Sequence, residues 1–183
     1  WEAELKDALS FQAGHLSLYQ LTIEPQTTFE RLYISGKLKL PDADLAHDLY
    51  VMTQEMTAAA GVPAYEISNH ARPGEESRHN LVYWEYGDYL GVGAGAHGKL
   101  TQLATGEVER TVRVRHPAAY LAGASPQERL AESRTVPEAD LPFEFMLNSL
   151  RLVAGFTEKQ FEDRTGLPRA VLTGPIQQAE TRG

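Results

Sequence analysis

The most informative stretch of this chain is RHNLVYWEYGDYLGVGAGAHG, residues 78–98. It places a His79-Asn80 pair and a Tyr83-Trp84 pair directly before a loop that carries five glycines. Because glycine has no side chain, such a backbone can approach a flat or phosphorylated molecule closely. The stretch therefore indicates a ligand-binding loop, and the alternative is a surface loop with buried aromatic residues.

The side chains around this loop offer specific chemistry. The imidazole of His79 can ligate haem iron or carry a proton. Tyr83 and Trp84 provide aromatic faces on which a planar ligand can stack. Asp88 and Tyr89 stand at the start of the glycine-rich segment, where they can anchor it.

The composition restricts the class of protein. The 183 residues are 42% hydrophobic and 23% charged, with no apolar run near the length of a membrane span, which predicts a soluble, globular protein with no transmembrane segment. The absence of cysteine also fits a cytoplasmic setting. The net charge is −8 and the 17 Lys and Arg residues form no block, which argues against a nucleic-acid partner. The chain has no cysteine, which excludes a disulfide scaffold, a Cys-ligated zinc site and an iron–sulfur cluster held by this segment.

The first third of the chain alternates helical and strand patterns, the order typical of α/β proteins. Trp1 opens an amphipathic helical pattern without a preceding Met or cap, so we expect the chain to be a fragment of a longer protein. Residues 15–23 predict a buried strand. Residues 40–61 predict a helix capped by Asp42, and its core-facing residues are expected to be Leu45, Leu49, Met52 and Met56.

The remaining patterns predict further elements and a domain boundary. Residues 62–71 and 110–115 predict strands, with a loop over 71–80 between the first of these and the glycine-rich segment. A short helix is expected to end at Gly166, and the boundary is expected near residue 134. A longer helix is expected over 141–155, with an apolar face of Phe143, Met146, Leu147, Leu150 and Leu152.

Four motifs in order carry a resemblance to a known family: HLSLYQLTIEP, YEISNHARPG, SRHNLVYW and GDYLGVGAGAHG. They resemble the second half of the oxygen-independent coproporphyrinogen III oxidase family, and more closely its haem-chaperone branch, over roughly residues 1–165. The resemblance implies an α/β radical S-adenosylmethionine (SAM) fold. Residues 1–134 would form the later part of a partial (β/α)6 barrel, and residues 135–183 a truncated helical, winged-helix-like domain.

The resemblance also implies a SAM site and a [4Fe-4S] cluster. The family's CxxxCxxC loop, which holds the cluster, is absent from this sequence, so this segment by itself is not expected to be catalytic. Thr22 and His97 match positions that contact the adenosine of SAM, and Gly93 and Gly95 would let the ligand approach. The alternative for Thr22 is an ordinary threonine at the end of a strand.

The HNxxYW motif distinguishes the haem-chaperone branch from the oxidases. It is intact here as His79, Asn80, Tyr83 and Trp84. The resemblance implies haem binding, with His79 as an iron ligand, the amide of Asn80 orienting it and the two aromatic residues covering the porphyrin. In the alternative, Tyr83 and Trp84 brace the glycine-rich loop and His79 caps a turn.

Two functions follow from the resemblance. In the first, the protein is a chaperone that binds haem and SAM and delivers haem to acceptor proteins. In the second, it is an oxidase that decarboxylates two propionates of coproporphyrinogen III. The HNxxYW motif favours the chaperone.

Two weaker site hypotheses come from isolated polar residues. His70 and His79 could form a metal pair, although a third ligand at zinc spacing is missing from their loop. Glu24 and Glu66 could act as acid–base groups, although such carboxylates more often pair with a nearby arginine.

Overall fold

The computed structural model describes residues 1–182, which divide into two compact units, Trp1–Ser77 and a unit that begins at Arg78. The elements of the first unit are α1 (Glu2–Ser10), β1 (His15–Ser17), α2 (Thr28–Ile34), α3 (Ala43–Ala59), β2 (Ala64–Glu66) and β3 (Asn69–Ala71). Those of the second are α4 (Arg78–Trp84), β4 (His97–Thr101), β5 (Val108–Arg113), α5 (Pro117–Ala122), β6 (Leu130–Thr135), α6 (Leu141–Ser149), α7 (Glu158–Thr165), α8 (Thr173–Arg182) and 3-10 helices at Glu138–Asp140 and Arg169–Leu172.

Helix α3 begins where the sequence predicts, but it buries a different face. The Asp42 carboxylate accepts a hydrogen bond from the Leu45 backbone N–H, 2.9 Å away, which confirms the predicted cap. The expected core face is wrong at Leu45, whose side chain is 50% exposed, while Leu49, Met52 and Met56 are only half-buried. The buried residues of α3 are Thr53 and Thr57.

Threonine can occupy this buried face because its hydroxyl finds partners within the helix. The hydroxyl of Thr57 donates to the carbonyl of Thr53 at 2.8 Å, and that of Thr53 donates to the carbonyl of Leu49 at 2.7 Å. Thr53 also accepts a hydrogen bond from the indole N–H of Trp1 at 2.8 Å. The cost of burying each hydroxyl is thereby offset.

The sheet of the first unit has the order β1-β3-β2, and both pairings are antiparallel. The prediction of one strand over 15–23 is too long, because β1 ends at Ser17 and the last backbone bond to the sheet runs from Leu18 N to the Ser68 carbonyl at 2.8 Å. The prediction of one strand over 62–71 is also wrong, since two strands form there. The reason is the buried carboxylate of Glu66, which accepts hydrogen bonds from Ser68 and from Asn69. These bonds hold a turn between β2 and β3.

The second unit contains an antiparallel sheet of order β4-β5-β6. The predicted strand over 110–115 corresponds to β5, two residues earlier. Because β6 ends at Thr135 and pairs along β5, residues on both sides of position 134 belong to this unit, and the two-domain division stays a prediction.

Helix α6 forms within the predicted range but is shorter and turned relative to the prediction. Its buried side chains are Leu141, Phe145 and Ser149, at a spacing of four residues. Phe145 makes edge-to-face contacts with Tyr86 and Phe161, at ring-centroid distances of 5.8 and 5.2 Å. The expected face is therefore wrong at three positions that are exposed to solvent, Phe143, Leu147 and Leu150.

The mixed α/β class is confirmed, and the barrel and winged-helix details stay predictions. The predicted short helix ending at Gly166 is observed as α7, and Gly166 adopts the left-handed conformation, with φ of 72°. Within residues 1–182 no helix is long and apolar enough to cross a membrane.

Candidate functional site

The predicted haem segment is the helix α4, although the sequence placed its first residues in a loop. His79 and Tyr83 stand four residues apart and therefore lie on the same face of this helix. His79 Nε2 and the Tyr83 hydroxyl are hydrogen-bonded at 3.1 Å, and the two rings meet edge to face at 4.8 Å. His79 is exposed, so its imidazole faces solvent beside an aromatic ring.

Trp84 has surroundings different from those of Tyr83. The guanidinium of Arg151 lies 4.3 Å from the centre of the Trp84 ring, a cation–π contact that covers one face of the indole. Its Nε1 is buried and has no hydrogen-bond partner. The centres of the Tyr83 and Trp84 rings are 6.3 Å apart. Of the predicted aromatic pair, Tyr83 is thus the ring in direct contact with His79.

Tyr83 also reaches the start of the glycine-rich loop. Its ring meets that of Tyr89 edge to face, with centroids 4.5 Å apart. The Tyr89 hydroxyl in turn accepts a hydrogen bond from Arg110 at 3.1 Å. His79, Tyr83 and Tyr89 therefore form a continuous row of rings, which we call the aromatic row.

A buried lysine anchors the loop together with Asp88. The ammonium of Lys99 donates to the Asp88 carboxylate at 2.8 Å and to the Tyr86 carbonyl at 3.1 Å. Burial raises the pKa of Asp88, but hydrogen bonds from Lys99 and Thr101 outweigh it and leave that pKa below its usual value. Asp88 therefore stays ionised and holds the start of the loop, as the sequence predicts.

The loop closes on the first strand of the sheet. The backbone N–H groups of Tyr89 and Lys99 each donate to the other residue's carbonyl, at 2.8 and 3.0 Å. A Cβ added to Gly91 would lie 2.4 Å from the carbonyl oxygen of His97. Glycine is needed at position 91 because two backbone segments pass too close for any side chain.

Gly93 and Gly95 are needed for a different reason. Their φ angles are 110° and 72°, in the left-handed region that favours glycine. The Gly93 N–H donates to the Tyr120 hydroxyl at 3.1 Å, and that of Gly95 donates to the Val114 carbonyl at 3.0 Å. A Cβ on Gly93 would meet nothing within 4 Å, so there is open space beside the loop.

A groove of about 800 Å³ lies between the sheet of the second unit and α6. Among its lining residues are Tyr89, His97, Arg110, Arg134, Phe143 and Leu147. The guanidinium of Arg110 donates to one carboxylate oxygen of Glu144 through two nitrogens, at 2.7 and 3.0 Å. Although burial raises the pKa of Glu144, these bonds lower it overall, so Glu144 is ionised.

The predicted site residues outside α4 and the glycine-rich loop lie in the first unit. Thr22 is exposed in an irregular segment beyond β1 rather than at the end of a strand. His70 is buried and both of its ring nitrogens lack hydrogen-bond partners. Among residues 1–182 no group of three or more His, Asp or Glu side chains is arranged to hold a metal ion.

The sequence analysis missed three residues that build the site, Lys99, Arg110 and Glu144. Each acts through a partner distant in sequence, for example 34 residues away between Arg110 and Glu144. The alternation of Arg and Val in residues 110–115 was a signal, since it placed Arg110 on one face of a strand.

In three dimensions the chain is similar to a coproporphyrinogen III oxidase from Escherichia coli that is described as a radical SAM enzyme. The TM-score is 0.62 over 95% of this chain and 43% of that one. At 16% sequence identity this similarity shows the fold alone. The fold is thus shared with part of a radical SAM enzyme.

The sequence is similar to that of proteins called haem chaperone HemW. The chain is 42% identical over 173 residues to HemW of Haemophilus influenzae, covering 94% of this chain and 43% of that protein. It is 39% identical over 180 residues to HemW of Escherichia coli, covering 98% and 45%. No protein-family model matches. The chain spans less than half the length of these relatives. Over that part its sequence fits the HemW branch of the oxygen-independent coproporphyrinogen III oxidase family.

Proposed function

We propose that this protein is a haem chaperone, which binds haem and transfers it to acceptor proteins. The observation that carries the proposal is the helix α4, which presents the exposed imidazole of His79 next to the ring of Tyr83. The relatives named HemW support the proposal. A cytoplasmic location is part of the same proposal.

In this proposal His79 is the iron ligand. Its Nε2 is hydrogen-bonded to Tyr83, so either Nδ1 approaches the iron or the tyrosine hydroxyl releases Nε2. The ring of Tyr83 then supplies an aromatic wall beside the bound iron. Asn80 and Trp84, on the same helix, complete the proposed haem segment.

We further propose that SAM contacts the glycine-rich loop through Gly93, Gly95 and His97. The expected contact of SAM with Thr22, which lies in the first unit, stays a separate prediction. The open space beside Gly93 fits a ligand that meets main-chain atoms. SAM bound to a [4Fe-4S] cluster supplies radical chemistry in such enzymes. The residues of this chain do not fit the cluster, since no cysteine is available as a thiolate ligand.

The oxidase alternative is supported by the structural similarity alone, and that similarity carries only the fold. The chaperone is therefore the function that the site supports best.

Titration of haem into the protein tests the role of His79. We expect the His79→Ala variant to bind haem more weakly and to show an altered Soret band, because the iron loses an imidazole ligand. His116→Ala is the matched control, since His116 is also an exposed histidine of the second unit and makes no side-chain capping bond. A Soret band and affinity of His79→Ala that match those of the control would show that His79 is not the ligand.

A further inference from the structure

The groove beside α6 combines an apolar wall with the end of the aromatic row. Phe143 and Leu147 stand four residues apart on α6 and line the groove, yet 70% and 64% of their surfaces are exposed. Exposed apolar side chains that line a concave groove offer a surface on which an apolar ligand can pack. The volume of about 800 Å³ falls within the range of about 300–1,000 Å³ that is typical of small-molecule sites.

The opposite wall of the groove joins it to the proposed haem segment. Tyr89 lines the groove and contacts Tyr83, which contacts His79. The aromatic row thus runs without interruption from the exposed imidazole to the groove. A flat aromatic ligand whose metal is bound at His79 would therefore meet the edges and faces of these rings on the side that leads to the groove.

One side chain that lines the groove, Arg134, can receive a carboxylate at the edge of a ligand. Arg110 holds one oxygen of Glu144 tightly, whereas Arg134 lies 3.4 Å from the other oxygen of Glu144 and 3.5 Å from Glu132. Arg134 is half exposed, and such long surface ion pairs contribute little free energy, so this guanidinium can turn to another carboxylate. The carboxylates of Glu132 and Asp140 line the groove as well and repel an anionic group, so a ligand carboxylate has to displace Glu132 from Arg134.

We propose that this groove receives one edge of the porphyrin macrocycle, an inference that rests on the proposed haem-chaperone function. Phe143 and Leu147 pack against the apolar face of the ring, and Arg134 pairs with a propionate. Iron ligation and macrocycle binding are then separate contributions, made by α4 and by the groove.

Binding of haem and of metal-free protoporphyrin IX separates these contributions. We expect the double variant Phe143→Ser/Leu147→Ser to bind both ligands with an affinity lower by about tenfold or more, as for the loss of an anchoring aromatic side chain. His79→Ala should lower the affinity for haem and leave the affinity for metal-free protoporphyrin unchanged. Leu150→Ser/Val153→Ser is the matched control, because these residues are exposed to a similar degree, 66% and 70%, and do not line the groove.

Arg134 is tested with a ligand that lacks charge. We expect Arg134→Gln to lower the affinity for protoporphyrin IX and to leave the affinity for its dimethyl ester unchanged, because the ester has no free carboxylate to pair with Arg134. If the Phe143→Ser/Leu147→Ser variant binds porphyrins as tightly as the control does, the proposed role of the groove is refuted, while the proposed haem binding stands. Absence of haem binding by the unmodified protein would instead overturn the proposed function. Melting temperatures of all variants establish that each is folded.

Discussion

Replacement of Gly91 by alanine tests whether the glycine-rich loop depends on close approach of two backbone segments. The added Cβ would lie 2.4 Å from the carbonyl oxygen of His97, 2.6 Å from its carbonyl carbon and 3.1 Å from the Gly98 nitrogen. All three are backbone atoms and cannot rotate away. His97 is moreover held in the sheet by its pairing with Val112. The strand or the loop must therefore move.

The cost of this movement can be estimated from overpacking in protein interiors. Forcing extra atoms into a packed site costs about 1–3 kcal/mol, and backbone neighbours place Gly91→Ala in the upper part, about 2–3 kcal/mol. For a chain of this size, 1 kcal/mol lowers the melting temperature by about 2–4 °C. We therefore expect a decrease of about 4–12 °C.

Thermal unfolding followed by circular dichroism measures this change. Gly174→Ala is the matched control, because a Cβ at Gly174 meets nothing within 4 Å and its φ is not in the left-handed region. Alanine at such a site restricts the unfolded chain, so the control should be unchanged or slightly more stable. A melting temperature of Gly91→Ala within about 1 °C of the control, on the scale given above, would refute the reasoning.

Two further predictions concern stability at low pH and SAM binding. The pKa of His70 lies below its usual value because its side chain is buried. The nearby Glu66 raises this pKa and His15 lowers it, but both effects are smaller than that of burial. The unfolded chain therefore binds more protons below about pH 6.5, and the free energy of unfolding should fall as the pH decreases through that value, by at most about 1.4 kcal/mol per pH unit. Urea unfolding at several pH values should show that the free energy of unfolding of His70→Leu depends less steeply on pH. An equal dependence in the two proteins would show that His70 is not the group responsible. Gly93→Val forces a branched side chain into a left-handed conformation beside the proposed adenosine contact. We therefore expect the loss of binding free energy for SAM to exceed the loss of free energy of unfolding. Calorimetric titration of the protein with SAM measures this, and unchanged affinity in a folded variant would place the adenosine elsewhere.

Local signals in the sequence predicted the features that depend on neighbouring residues. The cap at Asp42 and the end of α7 at Gly166 each need only one turn of helix to be formed, and both are confirmed. The buried face of α6 was predicted wrongly because apolar residues occupy more than one face of that helix. Contacts of Phe145 with Tyr86 and Phe161, which decide the face, come from distant parts of the chain.

The same distinction applies to the site. The glycines and the aromatic pair of the HNLVYW segment could be recognised because they are contiguous, whereas the lysine and arginine that hold the loop could not. Lys99 carries a charge at a buried position, which the sequence pattern disfavours. Its ammonium is tolerated because Asp88, the Tyr86 carbonyl and the Tyr86 ring surround it, the ring centre being 4.2 Å away. Such compensation becomes visible only once the chain is folded.

The position of Tyr83 changes how the two interpretations of the HNLVYW segment relate to each other. The sequence offered haem contact and bracing of the glycine-rich loop as alternatives for its aromatic residues. In the structure one edge-to-face contact of Tyr83 is made with His79 and another with Tyr89, so a single ring faces both the proposed iron ligand and the loop. Because the hydroxyl is hydrogen-bonded to the imidazole, any movement of His79 toward iron must change the environment of that ring. Bracing of the loop and haem contact are therefore compatible roles for Tyr83.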